Sequence, residues 1–426
     1  MSIDSLLRAA TPAVARTLSR ALEGQTLQHA ETVPLFDVVG VDLRALVAAA
    51  DAVRKEVVGD DVSYVINRNI NFTNVCVKTC NFCAFARGLR SEQGYFLPAN
   101  EIIARSEQAQ RFGATEVCLQ AGLAPSVDGR IYIDLTAQLH AALPDLHLHA
   151  YSPEEVKYGA LRSKMTVRDY LIELKAAGLG SLPGTSAEIL DNSLRDQISP
   201  ARIRTEEWVE VVRTAHELGI PTTSTMMFGH VETMDHRVAH MELLRSIQRE
   251  TGGFTEFVPL SFVHEESPLF AREPNGAVRP GPTGNDVRRL YAIARLFLGR
   301  DIKNVQASWV KEGPRFSQVL LDGGVNDLGG TLMNESISTQ AGAKHGQLMT
   351  PATLRRIIRD SGRVPVERNT LYGEVRRFDD PSQDPAEALD GVVDIDATFG
   401  SYATLAADES IRYAWDPQSQ RTNASS

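Results

Sequence analysis

Three of the chain's four cysteines, Cys76, Cys80 and Cys83, fall on one short stretch, NVCVKTCNFCAF. A disulfide scaffold would spread its cysteines to staple distant segments, so clustering points to a metal. The C-x3-C-x2-C spacing lets one loop turn three thiolates toward one face of a 4Fe–4S cubane, and three ligands for four irons leave one iron open. Other metals fit less well. A zinc site wants four ligands, and the first histidine after Cys83 is His140, far outside finger spacing. An electron-transfer ferredoxin wants a fourth cysteine. Cys118 is the sole candidate, and in the apolar run EVCLQ it reads as a buried small hydrophobe.

An open iron can chelate the amino and carboxylate groups of S-adenosylmethionine (SAM). Electron transfer then breaks a C–S bond and gives methionine and a 5′-deoxyadenosyl radical. The aromatic Phe82 before the last cysteine, and the position of the loop after a first strand, agree with that chemistry.

Such a loop needs a frame. Residues 1 to about 60 place Leu6, Leu7, Val14, Leu18 and Leu22 at helical spacing. From Val62 the pattern changes to short apolar runs alternating with amphipathic stretches. Strands are expected at 63–69, 116–121, 146–151, 178–182, 222–228, 255–262, 304–308 and 324–328. Helices are expected near 99–112, 131–143, 153–177, 205–219, 234–250, 282–299, 313–322 and 350–361. Eight strand-then-helix units predict a (β/α)8 barrel of the TIM type, within the ~250 residues such barrels take. A doubly wound open sheet is the alternative, but no G-x-G-x-x-G follows the first strand and no Walker A motif occurs. The expected organisation is an N-terminal helical segment (1–60), a barrel (61–375) and a C-terminal extension (376–426). That extension, rich in Asp, Pro and Ser, reads as mobile or loosely packed.

A formal charge of −10 and a pI near 5.6 argue against a nucleic-acid partner. No window approaches the ~18 apolar residues of a membrane span. The amphipathic start, carrying Asp4 and Glu23, is unlike a secretory signal or transit peptide, so a cytoplasmic address is expected.

The cysteine loop INFTNVCVKTCNFCAFAR is accompanied by further motifs along the chain: LHLHAYSPEEV, AGLGSLPGTSAEIL, TTSTMMFGHVE, TGGFTEFVPLSFVHEESP and NDLGGTLMNESIS. Across about Asn67 to Tyr372 they resemble the deazaflavin and menaquinone branch of the radical SAM superfamily, and within it the CofH family of FO synthase subunits. The resemblance implies a transferase that joins the 4-hydroxybenzyl group of L-tyrosine to 5-amino-6-(D-ribitylamino)uracil, releasing 2-iminoacetate, methionine and 5′-deoxyadenosine. It implies a 4Fe–4S cluster on three cysteines with SAM on the open iron. Its partners would be a second FO synthase radical SAM subunit and an electron donor such as flavodoxin or ferredoxin.

The resemblance also assigns residues. Phe82 would lie on the cofactor side, and Gln120-Ala121-Gly122 takes the place of the glycine-rich segment that contacts the SAM methionine, though the usual G-G-E wording is missing. Glu188 matches a polar residue near SAM; its other reading is a carboxylate in a helix's first turn. Met226 to Glu232, with Gly229 between, would line the adenine, and Glu232 reads equally as an N-terminal helix charge. On the substrate side, His149 and Glu265 are the catalytic candidates. His147 reads as a packed core histidine, and His230, His236 and His240 as a helix entry and a solvated face, with His230 beside the SAM segment. Asn326-Asp327 could bind polyol hydroxyls or make a turn. Two alternatives stay open. Aminofutalosine synthase shares the machinery but usually carries PGGGAE where this chain has Pro183 to Glu188. A non-catalytic iron–sulfur protein is the reading from another class.

Overall fold

The structure, a computed structural model, describes residues 2–78, 80–125, 127–272 and 276–414. Its centre is a closed parallel barrel of eight strands. The first runs through Asp61–Val65 and Asn67–Ile70. Asn67–Ile70 pairs in parallel with the second, Glu116–Leu119, which pairs with the third, His147–Ala150. Single bridges carry the ring onward: His149 to Ser181 on the fourth strand, and Leu182 to Thr222 on the fifth. The fifth, Thr222–Phe228, pairs with the sixth, Phe254–Ser261. Phe257 then bridges Val305 on the seventh, and Gln306 bridges Asp327 on the eighth. The eighth, Asp327–Gly330, pairs back onto the first, with Ser63 opposite Asp327 and Val65 opposite Gly330. The ring closes, so the barrel expectation stands and the open sheet is excluded.

The helices follow from local chemistry. Pro153–Arg162 starts where Ser152 accepts from the Glu155 N–H and Glu155 reaches back, a capping box with proline in the first turn. One helix was expected over 153–177, yet there are two. Lys164 turns left-handed (φ 55°), and Thr166 caps a new helix at Val167–Ala176. The expected helix at 313–322 is present as Pro314–Leu320, and Gly313 (φ 78°) separates it from an additional short helix at Trp309–Glu312. The N-terminal region is helical as expected. In Gly40–Val58 the buried residues Leu43, Leu46, Ala49, Ala50 and Val53 face the barrel's outer helix Gly284–Leu298.

The C-terminal segment departs from expectation through residue 414. Val364–Arg368 pairs in parallel beside Asp61–Val65 and antiparallel with Glu374–Arg377. Phe378, Leu389, Phe399 and Tyr402 are all buried in the main core. The polar composition that suggested looseness belongs to the residues between these anchors. Residues 415–426 lie outside the described residues.

Candidate active site

Beyond the C-terminal ends of the strands, where a barrel's loops converge, lies a cavity of about 260 Å3. Residues singled out in the sequence border it, among them Cys76, Cys80, Cys83, Phe82, Gln120, Gly122 and Glu188. The cysteine loop leaves the first strand and is drawn across the mouth toward the third and fourth. The Asn81 N–H donates to Ile198 O (2.8 Å), and Lys78 Nζ lies 3.1 Å from Glu154 Oε1. Gly122 supports the loop from below. Its N–H donates to Thr73 O (2.8 Å), and a Cβ there would stand 2.3 Å from Val75 O, so only glycine fits.

Electrostatics converge on Cys80. Arg202 Nη1 lies 3.7 Å from its sulfur and 3.3 Å from Glu188 Oε1, and Arg202 Nε reaches Glu154 Oε2 at 3.2 Å. Arg195 Nη1 holds the other Glu188 oxygen at 3.4 Å. Ser186 (φ 66°) and Glu188 (φ 42°) both sit in the left-handed region, a strained turn of the kind that gathers at functional sites. Glu155 ties two walls together. Its carboxylate accepts from the Ala121 N–H (3.0 Å) and from Ser152, and burial raises its pKa to about 7.

Burial pushes the Cys80 thiol up to about 12, against the pull of Arg202, and raises Cys76 as well. Isolated thiolates are disfavoured in this pocket, and a cationic iron centre supplies the charge that would hold them. Among the described residues no three His, Cys, Asp or Glu side chains converge on a single ion. A zinc ion would need its thiolates all at about 2.3 Å. Three cysteines around one cavity fit a larger cluster instead, with Cys118 apart on the second strand beside Gln120 Nε2 (3.8 Å).

The other candidate residues lie elsewhere. Alternation along the fifth strand turns Thr225 and Met227 into the cavity and Met226 into the core, so of the segment expected to line the adenine Met227 borders the cavity and Met226 does not. Gly229 and Glu232 do not border the cavity. Gly229 (φ 92°) makes the turn, and Glu232 accepts from the Gly229 and His230 N–H groups (2.8 and 2.9 Å) and from Arg237. These partners overcome the burial of Glu232 and hold its carboxyl at about 2. His149 is buried inside the barrel, its Nδ1 2.7 Å from Ser181 Oγ, and burial lowers its pKa to about 4. His147 Nε2 shares that hydroxyl. Glu265 is exposed at the rim, 3.5 Å from His264 Nδ1, and opens on a neighbouring hollow. His240 is not solvated: it is buried between Leu190 N and Thr225 O. Asn326 and Asp327 are buried in contacts with Arg295 and Arg368 rather than facing the mouth.

Lys78, Glu154, Glu155, Arg202 and Lys311 also border the cavity, with no role expected from the sequence. The capping box in SPEEV could have flagged Glu155. Arg202 and Lys311 carry no local signature.

The C-terminal segment reaches this site from outside. Asn74 Nδ2 donates to the Tyr402 hydroxyl (2.9 Å), and Phe85 packs on the Tyr402 ring (5.6 Å). The Phe96 N–H donates to Ile411 O, and the Tyr413 N–H to Gly94 O. Tyr402 is thus a positioning residue for the cysteine loop. Tyr402→Ala should speed iron loss to a chelator by about 10-fold, in line with second-layer substitutions, while Tyr402→Phe keeps the ring and loses less. Equal chelation rates in all three proteins would contradict that role.

Two family models match: the Radical SAM superfamily over residues 70–244 and the CofH/MqnC C-terminal region over 251–381. Over 360 residues the chain is 49% identical to the 5-amino-6-(D-ribitylamino)uracil–L-tyrosine 4-hydroxyphenyl transferase of Methanothermobacter thermautotrophicus, covering 84% of this chain and 97% of that protein. This chain belongs to the CofH family of radical SAM enzymes. It is 47% identical to FO synthase of Mycobacterium tuberculosis, over 84% of its own length but only 42% of that longer protein. The CofH-family barrel also resembles methylornithine synthase PylB (18% identity, TM-score 0.65, 82% of this chain and 97% of that one). HydG from Carboxydothermus hydrogenoformans matches similarly (14%, TM-score 0.65, 87% and 83%). These distant likenesses show the fold. Membership of the CofH family makes the chain a radical SAM transferase and implies a 4Fe–4S cluster and SAM.

Proposed function

We propose that the chain transfers the 4-hydroxybenzyl group of L-tyrosine to 5-amino-6-(D-ribitylamino)uracil, with Cys76, Cys80 and Cys83 as the three cluster ligands. The observation that carries this is one cavity bordered by all three cysteines, in a chain 49% identical to a transferase of that name. When bound, the cluster and SAM supply a 5′-deoxyadenosyl radical able to take hydrogen from tyrosine. The chain's residues do the rest. Arg202 neutralises Glu154 and Glu188 beside Cys80, and Gln120 to Gly122 border the space the cofactor would occupy. Leu260, Phe262 and Ile337 give the cavity an apolar wall that excludes water and stray hydrogens from a radical that attacks most C–H bonds. His149 and Glu265, away from this cavity, would act through their neighbours.

The reading includes a second radical SAM subunit that closes the deazaflavin ring, a flavodoxin or ferredoxin as reductant, and a cytoplasmic setting. The 42% coverage of FO synthase supports the first. Among the described residues no helix is long and apolar enough to cross a membrane.

Anaerobic incubation of reconstituted protein with dithionite, SAM, tyrosine and the diaminouracil, followed by mass spectrometry, tests the reading. The expected result is an adduct that needs both substrates, formed with 5′-deoxyadenosine. Deoxyadenosine without adduct would overturn the substrate assignment. No deoxyadenosine from a fully loaded cluster would overturn the radical chemistry.

A further inference from the structure

The cavity's charges divide unevenly. On the side of the third and fourth strands, Lys78, Glu154, Glu188 and Arg202 form one paired network around Cys80. The seventh strand stands opposite the third in a ring of eight, and from the helix that follows it Lys311 reaches the cavity wall. Its Nζ donates to Ser338 Oγ (2.9 Å), and among the described residues no carboxylate lies within 4.0 Å of it. Both neighbouring acids are engaged elsewhere. The Ser261 hydroxyl donates to Glu312, and Glu335 accepts from the Ser338 N–H at 2.9 and 3.1 Å. Leu260, Phe262, Val263 and Ile337 line the same cavity, and Glu335 and Glu312 act on the ammonium without a direct ion pair.

An enclosed ammonium with one hydroxyl partner is costly unless an anion joins it. An apolar, aromatic wall with one cation suits an aromatic amino acid, ring on the wall and carboxylate on the ammonium. We propose that Lys311, with Ser338, binds the carboxylate of the amino-acid substrate, L-tyrosine. This rests on the transferase reading above. The uracil substrate has no carboxylate. SAM has one, but on the transferase reading that carboxylate would be taken by the open iron beside the cysteines.

Holoenzyme carrying Lys311→Met or Lys311→Arg, with matched cluster content, would be compared with wild type for the KM of tyrosine, SAM and the diaminouracil. Loss of a charge-assisted hydrogen bond should raise the tyrosine KM by about 10- to 100-fold in Lys311→Met. The other two constants should stay unchanged, and Lys311→Arg should recover part of the loss. A readout free of the variants compares tyramine, which lacks the carboxylate, with tyrosine on wild type: tyramine should bind at least ~10-fold more weakly. An unmoved tyrosine KM, a rise in the SAM or uracil KM instead, or equal binding of tyramine would each overturn the assignment while leaving wild-type adduct formation intact. Failure of the transferase reading looks different: wild type itself makes no adduct.

Discussion

Cys80→Ala protein is expected to fold, yet to hold almost no iron and to form no 5′-deoxyadenosine above background. The reasoning begins with the thiol's surroundings. Cys80 is partly exposed, bordering the cavity rather than filling the core, so trimming it leaves no large void. Its loop stays anchored through Asn81 to Ile198 O and through Lys78 to Glu154. What disappears is one of the three proposed ligands, and burial disfavours the Cys76 thiolate that remains. Two thiols in such a pocket cannot supply the charge a cubane needs. Cys76→Ala and Cys83→Ala should behave alike. Cys118→Ala, remote on the second strand, should keep both cluster and activity. Iron analysis, visible absorption and deoxyadenosine formation read the result. A Cys80→Ala protein with full cluster absorption would place the ligands elsewhere.

What could be read from the chain divides by physical range. The cysteine triplet is legible because its three thiols are neighbours in sequence. The barrel is legible because strand and helix periodicities alternate eight times, and the fourth and seventh strands register only as single bridges, the shortest of the set. Within the segment Met226 to Glu232, that Met227 and not Met226 borders the cavity was not legible, because apolar runs such as TTSTMMF do not reveal which face of a strand points inward. Arg202 was invisible because its meaning lies in Glu154, Glu188 and Cys80, residues 14 to 122 positions away. Lys311 was invisible because a cation at a cavity wall with no direct carboxylate partner can be recognised only by what surrounds it. The tail misled because a few buried aromatics, Phe378, Phe399 and Tyr402, anchor a stretch whose average composition is that of a disordered one.

The same long-range logic governs stability inside the barrel, where Arg368→Met should cost about 3–5 kcal/mol. Arg368 grips Asp327 with two nitrogens, at 2.6 and 3.1 Å, and stands 3.6 Å from Glu256. Asp327 is fully buried and also accepts from Ser63 Oγ and the Gly329 N–H. Removing the guanidinium leaves two carboxylates in the interior without their cation, which is worse than never having buried the pair. The double variant Arg368→Met/Asp327→Asn should therefore recover part of the loss, measured by urea midpoint. Acidity gives a second handle. Burial raises Glu256 from an ordinary 4.5 to about 7 even with Arg368 pulling the other way. A carboxyl with a raised folded pKa binds protons more readily in the native state, so its cost is absent below the unfolded pKa and grows as pH rises through the folded one. Without Arg368 that folded pKa climbs further, and the variant's deficit should be smaller near about pH 6 than near about pH 8. A deficit that does not change with pH would mean water reaches Glu256 in the variant and solvates its charge.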